Sequence, residues 1–548
     1  MRIYLSILFT LFSLWCLAAD VFESDRARWL RIAEESKPEL HSTIVKPEFV
    51  VSALNDTSAF QHWRYRTIGS PDSLLYGQSF KTVREITLDF GRHMVGYFSF
   101  KVKTLSRCLD APIRLKFFFG ELPAEINTPL DPWPGQLSRG WMQDEIVNVH
   151  QSDTLIEIPR RLAFRYLKIE LLGASADYDF ALENLQCRAV SSADRSAASL
   201  LPGCSPRIAA INGVGEETLR ECMQTVFEDG PKRDRRLWAG DLYLQSLANR
   251  YSFRNFDLVK RCLYLFAGLS DGDGNIISNI FETPVPHEQT MSHCLSYSLL
   301  WNATLCEYFV DTNDVLTVCD LWPVARRQIE EALTYVGDDG IFRRESRPSY
   351  AWTFFDWREG LDTTTPMQGA VIYAIDQTLE LAKRIGKVHE VSHWAAISRR
   401  MKKAAKRNLF DSKRGLFVSG PDRQISALSQ TWMIKAGVVA GREARVAIEN
   451  ALADPTALLP GTPYGAHYLV EAMILAGMNA NARQYLENYW GGMVDKGADT
   501  FWESYDPNDD FISAYSFFPV NSACHAWSCT PVYFINKYPQ IFQTDLDQ

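Results

Sequence analysis

Two different spacings of apolar residues divide this chain. Up to about residue 195, apolar and polar positions alternate. Arg84–Phe90, Tyr97–Lys103 and Ile113–Phe119 follow that rule, as do Thr154–Ile158 and Tyr166–Leu171. Residues two apart share one face of a strand, so each run predicts a short, half-buried strand. Gly, Pro and Asp punctuate the runs, and many short strands with such turns predict a β-sandwich. A small, polar stretch, Ser191–Ser199, fits a boundary between domains. Beyond it the apolar residues recur every three or four positions. That spacing predicts helices over about 208–228, 241–253, 256–269, 290–310, 314–336, 367–385, 389–408, 424–439, 442–453, 464–477, 480–490 and 520–537. They carry no repeat of fixed length, so paired helices closed into a toroid fit better than a solenoid. The expected domains are a β-sandwich over residues 20–195 and a helical domain over 205–540.

The first 19 residues differ from both patterns. Arg2, an apolar run and a small-residue end at Ala18-Ala19 predict a cleaved secretory signal. The run is short for a membrane span. The expectation is a protein exported to the periplasm or medium, with no stable membrane insertion after cleavage.

Composition narrows the function. A net charge of −9 over 548 residues argues against a nucleic-acid partner. Many of the 15 tryptophans belong to the core, and flat amphipathic rings also suit a sugar cleft. Eleven cysteines lie scattered without CxxC pairs, which argues against zinc. The acidic turn Asp271–Asn275 lacks the spacing of a calcium loop. No metal or cofactor is expected.

Three interhelical segments carry the candidate chemistry. Asp229–Asp241 holds three carboxylates (Asp229, Asp234, Asp241), four cations (Lys232, Arg233, Arg235, Arg236) and Trp238. Gly230 and Pro231 end the preceding helix, and Asp241 is placed as the N-cap of the next. A second segment, Trp352–Gly360, contains Asp356 and Trp357. The third joins Trp502 and Glu503 to a later stretch with His525 and Trp527. Cleaving a glycosidic bond takes two carboxyl groups, one to donate a proton and one to activate water or attack. Neighbouring indoles shape a sugar site and, by excluding water, raise the pKa of an acid. Each segment alone also reads as a capped helix end with a packed Trp, and Asp229 with Arg233 as a loop-stabilising ion pair. Three such segments in one helical domain point to carbohydrate. Trp527 reads as core rather than ligand.

These motifs resemble those of the family 78 glycoside hydrolases, the α-L-rhamnosidases. The family segment Asp-Cys-Pro-x-Arg-Asp-Glu-Arg-x-Gly-Trp-x-Gly-Asp is matched by Asp229, Pro231, Arg233, Asp234, Arg236, Trp238, Gly240 and Asp241, one residue short before Trp238. Asp356-Trp357 resembles its Gly-Asp-Trp segment. Thr500–Glu503 resembles its Thr-x-Trp-Glu, whose Glu is the proposed general base. Ser522–Ser528 and Tyr489–Met493 fit the flanking motifs, and Leu88–Gly91 and Phe164–Ile169 fit the sandwich.

The resemblance implies an N-terminal β-sandwich followed by an (α/α)6 barrel and an inverting cleavage of terminal α-L-rhamnose. Glu503 would activate water. Asp229, Arg233, Trp238 and Asp241 would bind the sugar, with Asp356, Trp357, Trp502 and His525 around it. In one respect the chain departs from the family. Arg235 stands where the family has its general-acid Glu, and a guanidinium does not donate a proton at useful pH. Asp234 is the first candidate to replace it, then Asp241 and Asp356. The cations around Arg235 also fit a uronic acid in a pectic, rhamnose-containing oligosaccharide. Three rivals stay open: an inactive carbohydrate-binding homologue, a glycosidase for another terminal sugar, and a lyase using His525 or Tyr505 as base.

Overall fold

The computed structural model describes residues 20–106, 109–194, 204–289, 293–346 and 351–543. The candidate secretory signal lies outside them, as do residues 195–199 of the expected linker. Its first residues are described and are not exposed: Ser191 and Ser192 are buried, and their hydroxyls donate to the carbonyl of Met223 in the helical domain.

The N-terminal domain is an antiparallel β-sandwich. Its strands are β1 (His41–Val45), β2 (Phe49–Asn55), β3 (Trp63–Gly69), β4 (Glu85–Thr104), β5 (Ile113–Gly120), β6 (Gln143–Val149), β7 (Leu155–Glu157), β8 (Leu162–Gly173) and β9 (Phe180–Ser191). The main path runs β1-β9-β4-β8-β5-β6, with β2 and β7 also paired to β4 and β3 to β2. Alternation does its work along β5, where Ile113, Leu115, Phe117 and Phe119 are buried on one face. Phe117 meets Phe100 of β4 with ring centroids 4.7 Å apart, and Phe119 meets Phe164 of β8 at 4.8 Å. The two runs predicted as separate strands, 84–90 and 97–103, are parts of the single strand β4. Its register against β8 shifts between Asp89 and Met94, and that bulge breaks the alternation.

The longest helix that the spacing does not predict lies at the start of the described chain. α1 (Glu23–Glu35) buries Trp29 and Ala33 and is tied down by Arg26, whose guanidinium donates to the carbonyls of Gly268, Ser270 and Asp271.

The second domain is an (α/α)6 barrel of six outer and six inner helices in alternation. They are α2 (Pro206–Cys222), α3 (Ala239–Tyr251), α4 (Phe256–Gly268), α5 (Leu295–Thr312), α6 (Val315–Leu333), α7 (Thr364–Arg384), α8 (Trp394–Asn408), α9 (Ala427–Lys435), α10 (Gly441–Ala453), α11 (Pro463–Leu475), α12 (Asn479–Asp495) and α13 (Pro531–Lys537). The odd-numbered members form the inner ring: α3, α5, α7, α9 and α11 pack in that order, His467 of α11 meets Phe534 of α13 with ring centroids 4.9 Å apart, and α13 closes the ring against α3. Inner helices are apolar nearly all round; every residue of α9 except Lys435 is buried, for instance. Outer helices are amphipathic.

The predicted helices miss at their ends for identifiable reasons. The helical spacing of Met223, Val226 and Phe227 predicts a first helix that runs to 228. All three are buried, but the chain leaves the helix at Met223, whose carbonyl accepts from Ser192 N. Helix 520–537 begins only at Pro531, because 520–530 forms the loop that carries His525. Asp241 is not an N-cap: Trp238 holds that position, and Asp241 sits inside the first turn of α3.

The sandwich sits against the barrel through buried charge. Lys232, wholly buried, lies 2.8 Å from Glu125 and 3.2 Å from Glu121 of the sandwich. Glu121 also pairs with His93 at 3.1 Å and accepts from Ala523 N. An unpaired buried ammonium would be costly, so these carboxylates fix the loop after Gly230 in place.

Candidate active site

Three chain segments converge at one end of the barrel. Residues 500–503 and 522–528 are stitched side by side: Glu503 N donates to Ser522 O, His525 N to Phe501 O, Trp527 Nε1 to Glu503 O, and Ser528 Oγ to Trp502 O. The 229–241 loop is locked onto them by Ala526 N donating to Asp229 O, 2.6 Å. Gly240, at the start of α3, leaves no room for a side chain: a Cβ there would lie 2.2 Å from the ring of Tyr297. That close approach is why the motif needs glycine.

A pocket of about 260 Å³ opens among these segments. Its buried part holds Asp229, Asp241, Glu503, His525 and Tyr297; Trp238 and Trp352 are half-buried, and Trp357 is 44% exposed. Arg236 Nε and His525 Nδ1 in the pocket have no hydrogen-bond partner, and Asp241 Oδ1 and His525 Nε2 have only each other. Asp241 Oδ1 and His525 Nε2 are 3.4 Å apart. Buried groups left so are costly unless a ligand completes them, and sugar hydroxyls both donate and accept.

Glu503 is held from three sides. Tyr515 Oη donates to Oε1 at 2.6 Å, Ser522 N donates to Oε2 at 2.9 Å, and Arg233 Nη2 pairs with Oε2. Burial by itself would raise its pKa. The charges of Arg233 and His525 and the donors outweigh burial and hold it down to about 2, so it is ionised. Arg233 is itself sandwiched, its guanidinium 4.3 Å over the Tyr515 ring and its Nη1 3.3 Å from Asp234 Oδ1. Asp234 and Glu503 thus flank one guanidinium.

Asp229 has both oxygens engaged by its own loop, accepting from Asp234 N at 2.9 Å and Arg236 N at 3.1 Å. Burial, then the charge of Asp234, pushes its carboxyl well above the usual range. Burial also raises Asp241. His525 is buried, which disfavours its charge, but Asp241, Glu503 and Asp229 overcome this and raise it.

The pocket gathers most of the residues named from sequence: Asp229, Arg233, Asp234, Trp238, Asp241, Trp357, Glu503 and His525. Three others stand outside it. Arg235 turns away; its Nε donates to the carbonyls of Pro231 and Lys232, and burial with the charge of Arg161 lowers its pKa to about 10. Asp356 is a structural anchor, accepting from the N–H groups of Arg358, Gly461 and Thr462 and from the Thr462 hydroxyl. Trp502 stacks on Phe60 at 4.1 Å and lines a neighbouring cavity together with Tyr505, so neither is placed to act in this pocket. The expected cationic cluster is dispersed as well. Lys232 faces the sandwich, Arg233 faces Glu503, and Arg236 lies over the Phe281 ring at 4.2 Å and 3.6 Å from Asp234.

Sequence reasoning missed Tyr297, Tyr515, Trp352, Phe354 and Gln289, and it read Trp527 as core. Trp527 is indeed 4% exposed, yet it lines the pocket, stacked on Phe354 at 5.8 Å. Tyr515 lies in a run with no motif, and only the fold brings it to Glu503.

Comparison with known proteins decides the family. The profile of the bacterial α-L-rhamnosidase six-hairpin glycosidase domain matches residues 204–538, and that of the family 78 α-rhamnosidase N-terminal domain matches 47–189. The chain belongs to the family 78 α-L-rhamnosidases. This α-L-rhamnosidase family member is 37% identical to a rhamnosidase from Klebsiella oxytoca solved with rhamnose bound, with a TM-score of 0.88 over 94% of this chain and 99% of that one. The family 78 rhamnosidase of Bacillus sp. GL1 is 21% identical, with a TM-score of 0.68 over 82% of this chain and 46% of its own. The Streptomyces avermitilis α-L-rhamnosidase, complexed with L-rhamnose, is 13% identical, with a TM-score of 0.60 over 91% and 44%. The last two share the fold, and this chain spans less than half of their length. No curated protein sequence matches the chain. Among the described residues no cluster of three or more His, Cys, Asp or Glu is arranged to hold a metal, and no helix is long and apolar enough to cross a membrane.

Proposed function

We propose that this glycoside hydrolase releases terminal α-L-rhamnose with inversion, using Glu503 as base and Asp234 as acid. The observation that carries the reading is the Glu503 carboxylate, ionised and fixed by Arg233, Tyr515 and Ser522 N in the same pocket as a second carboxyl group. Oε1 accepts only from Tyr515 among the described residues, which leaves a lone pair for a water. Water oxygen attacks the anomeric carbon as the C–O bond to the leaving group breaks. The water proton passes to Glu503, and the proton of the acid passes to the leaving oxygen. Contact with Arg233 makes Glu503 a weak base at rest, and sugar hydroxyls that draw Arg233 away would strengthen it.

Asp234 is preferred as acid over Asp229 because of where each is engaged. Asp229 is tied by two backbone N–H groups, whereas Asp234 is partly exposed to the pocket. Asp234 lines the pocket with 17% of its side chain exposed, the side from which a leaving group would enter. Rhamnose as the sugar is supported by family membership and by the rhamnose-bound Klebsiella relative. Export remains a reading of residues 1–19 and is testable by N-terminal sequencing of the mature protein.

The test is sugar release by the wild type and by Glu503→Gln from a panel of rhamnosides and other glycosides. Rhamnose released only by the wild type supports the proposal. Release of another sugar overturns the specificity, and binding without release by the wild type favours an inactive carbohydrate-binding homologue.

A further inference from the structure

The pocket has two unlike parts. Its buried part is polar and holds the partnerless Arg236 Nε and His525 Nδ1 beside the Asp241–His525 pair. Its open part carries indoles: Trp357 from the barrel, and Trp141 with Leu137 from a loop of the sandwich, residues 131–142. Leu137 and Trp141 are the lining residues that the barrel does not supply.

That loop is built to hold its shape. Next to Trp141, Met142 is buried in a small apolar cluster with Phe118, Leu130 and Phe517. Trp133 meets Phe517 edge-on at 5.1 Å and donates from Nε1 to Leu137 O at 2.8 Å. Arg139 grips Asp144 with two bonds of 2.9 and 3.0 Å. Gln136 reaches the barrel, donating from N to Tyr515 O at 3.2 Å and from Nε2 to Ser516 Oγ at 2.7 Å. The same Tyr515 holds Glu503. A large indole kept half-exposed on a loop fixed at both ends is a contact surface rather than a packing residue.

Charge limits what that surface receives. Four carboxylates line the pocket, Asp229, Asp234, Asp241 and Glu503, against two guanidiniums, Arg233 and Arg236. Both guanidiniums already face carboxylates. His525 faces Asp241, so none of these cations is left free to receive an anionic group.

We infer that the sandwich loop 131–142 forms the leaving-group side of the pocket. Trp141 there selects uncharged leaving groups that present a flat apolar face. An aryl aglycone and the apolar face of a second neutral sugar share this chemistry. The inference rests on the reading of the buried part as the sugar site, but its test does not depend on turnover.

The probes are thioglycosides, which resist hydrolysis, titrated calorimetrically into the full wild-type chain: phenyl, methyl, glucosyl and glucuronosyl 1-thio-α-L-rhamnosides. The phenyl probe should bind about tenfold more tightly than the methyl probe, the stacking increment of one aromatic contact. Trp141→Ala should abolish that difference and change methyl binding by less than about twofold. Trp141→Phe, which keeps a flat ring, should retain most of it. If the glucosyl probe gains and the phenyl probe does not, the surface receives a sugar; the reverse makes it an aglycone site. The inference is overturned if Trp141→Ala leaves both the phenyl-to-methyl and the glucosyl-to-methyl ratios unchanged, if it weakens all probes equally, or if the glucuronosyl probe binds best. Turnover by the wild type is scored separately, so a protein that binds with this pattern but hydrolyses nothing refutes the proposed activity and not the leaving-group surface.

Discussion

Replacing Asp234 by Asn separates proton donation from every other role the carboxyl could have. Asn keeps the shape and still offers an oxygen to Arg233, so the loop should survive. It cannot donate a carboxylic proton. General acid catalysis contributes about 10²–10⁴ in rate, or about 3–5 kcal/mol of barrier, when the leaving group needs a proton. A nitrophenolate leaves without one. Asp234→Asn should therefore lower kcat/KM on an alkyl or sugar-linked rhamnoside by about 10²-fold or more, and on p-nitrophenyl rhamnoside by less than about tenfold. A second consequence follows from the 229–241 loop. The charge of Asp234 is one of the causes that raise Asp229. Removing it should lower the Asp229 pKa, visible as a movement of its ¹³C carboxyl titration midpoint to lower pH. The assay is initial rate against the two substrate types for wild type, Asp234→Asn and Asp229→Asn. An equal loss on both substrates by Asp234→Asn, with the selective pattern appearing in Asp229→Asn instead, would refute the assignment and move the acid to Asp229.

Tyr515→Phe removes the hydroxyl bonded to Glu503; a hydrogen bond to a charged group contributes ~1.5–3 kcal/mol, so kcat/KM should fall about 10- to 100-fold, and the acid limb of the pH–rate profile should move upward because the carboxylate has lost a donor. Arg235→Glu should leave selectivity between acidic and neutral glycosides unchanged but lower the melting temperature, because it sets a carboxylate beside buried Glu228 and removes the bonds to Pro231 O and Lys232 O; an unchanged melting temperature with altered selectivity would contradict the placement. Glu503 has a folded pKa of about 2 against an ordinary 4.5, so its ionised form stabilises the fold above about pH 4.5, and that contribution is lost as pH falls towards 2; Glu503→Gln should show a flatter loss of melting temperature across that window.

Much of this molecule is legible in the order of its residues, but not uniformly. Strands such as β5 and the amphipathic outer helices follow from periodicity, because one face is buried and the other is not. Ends are less legible. Met223, Val226 and Phe227 keep helical spacing only because all three are buried, and burial does not require a helix. The site divides in the same way. Asp229, Asp241 and Glu503 stand in motifs; Asp229 is positioned locally, by the N–H groups five and seven residues on, whereas Glu503 is held by Ser522 N and by Arg233 from another segment. Tyr515, Trp141 and Leu137 reach the pocket through contacts between distant segments, and no local pattern marks them. Type alone misled at Asp356, Trp502 and Arg235. A carboxylate with four donors, an indole stacked on Phe60 and a guanidinium on two carbonyls are structural uses of residues that also do chemistry.

The central claim is that Glu503 delivers water to the face of the sugar opposite the leaving group. The direct measurement is proton NMR of the first rhamnose formed from an α-L-rhamnoside, recorded before the free sugar mutarotates, with wild type and with Glu503→Gln. The account predicts β-L-rhamnose as the initial product of the wild type and no product from Glu503→Gln. Initial α-L-rhamnose, or undiminished release by Glu503→Gln, would contradict it.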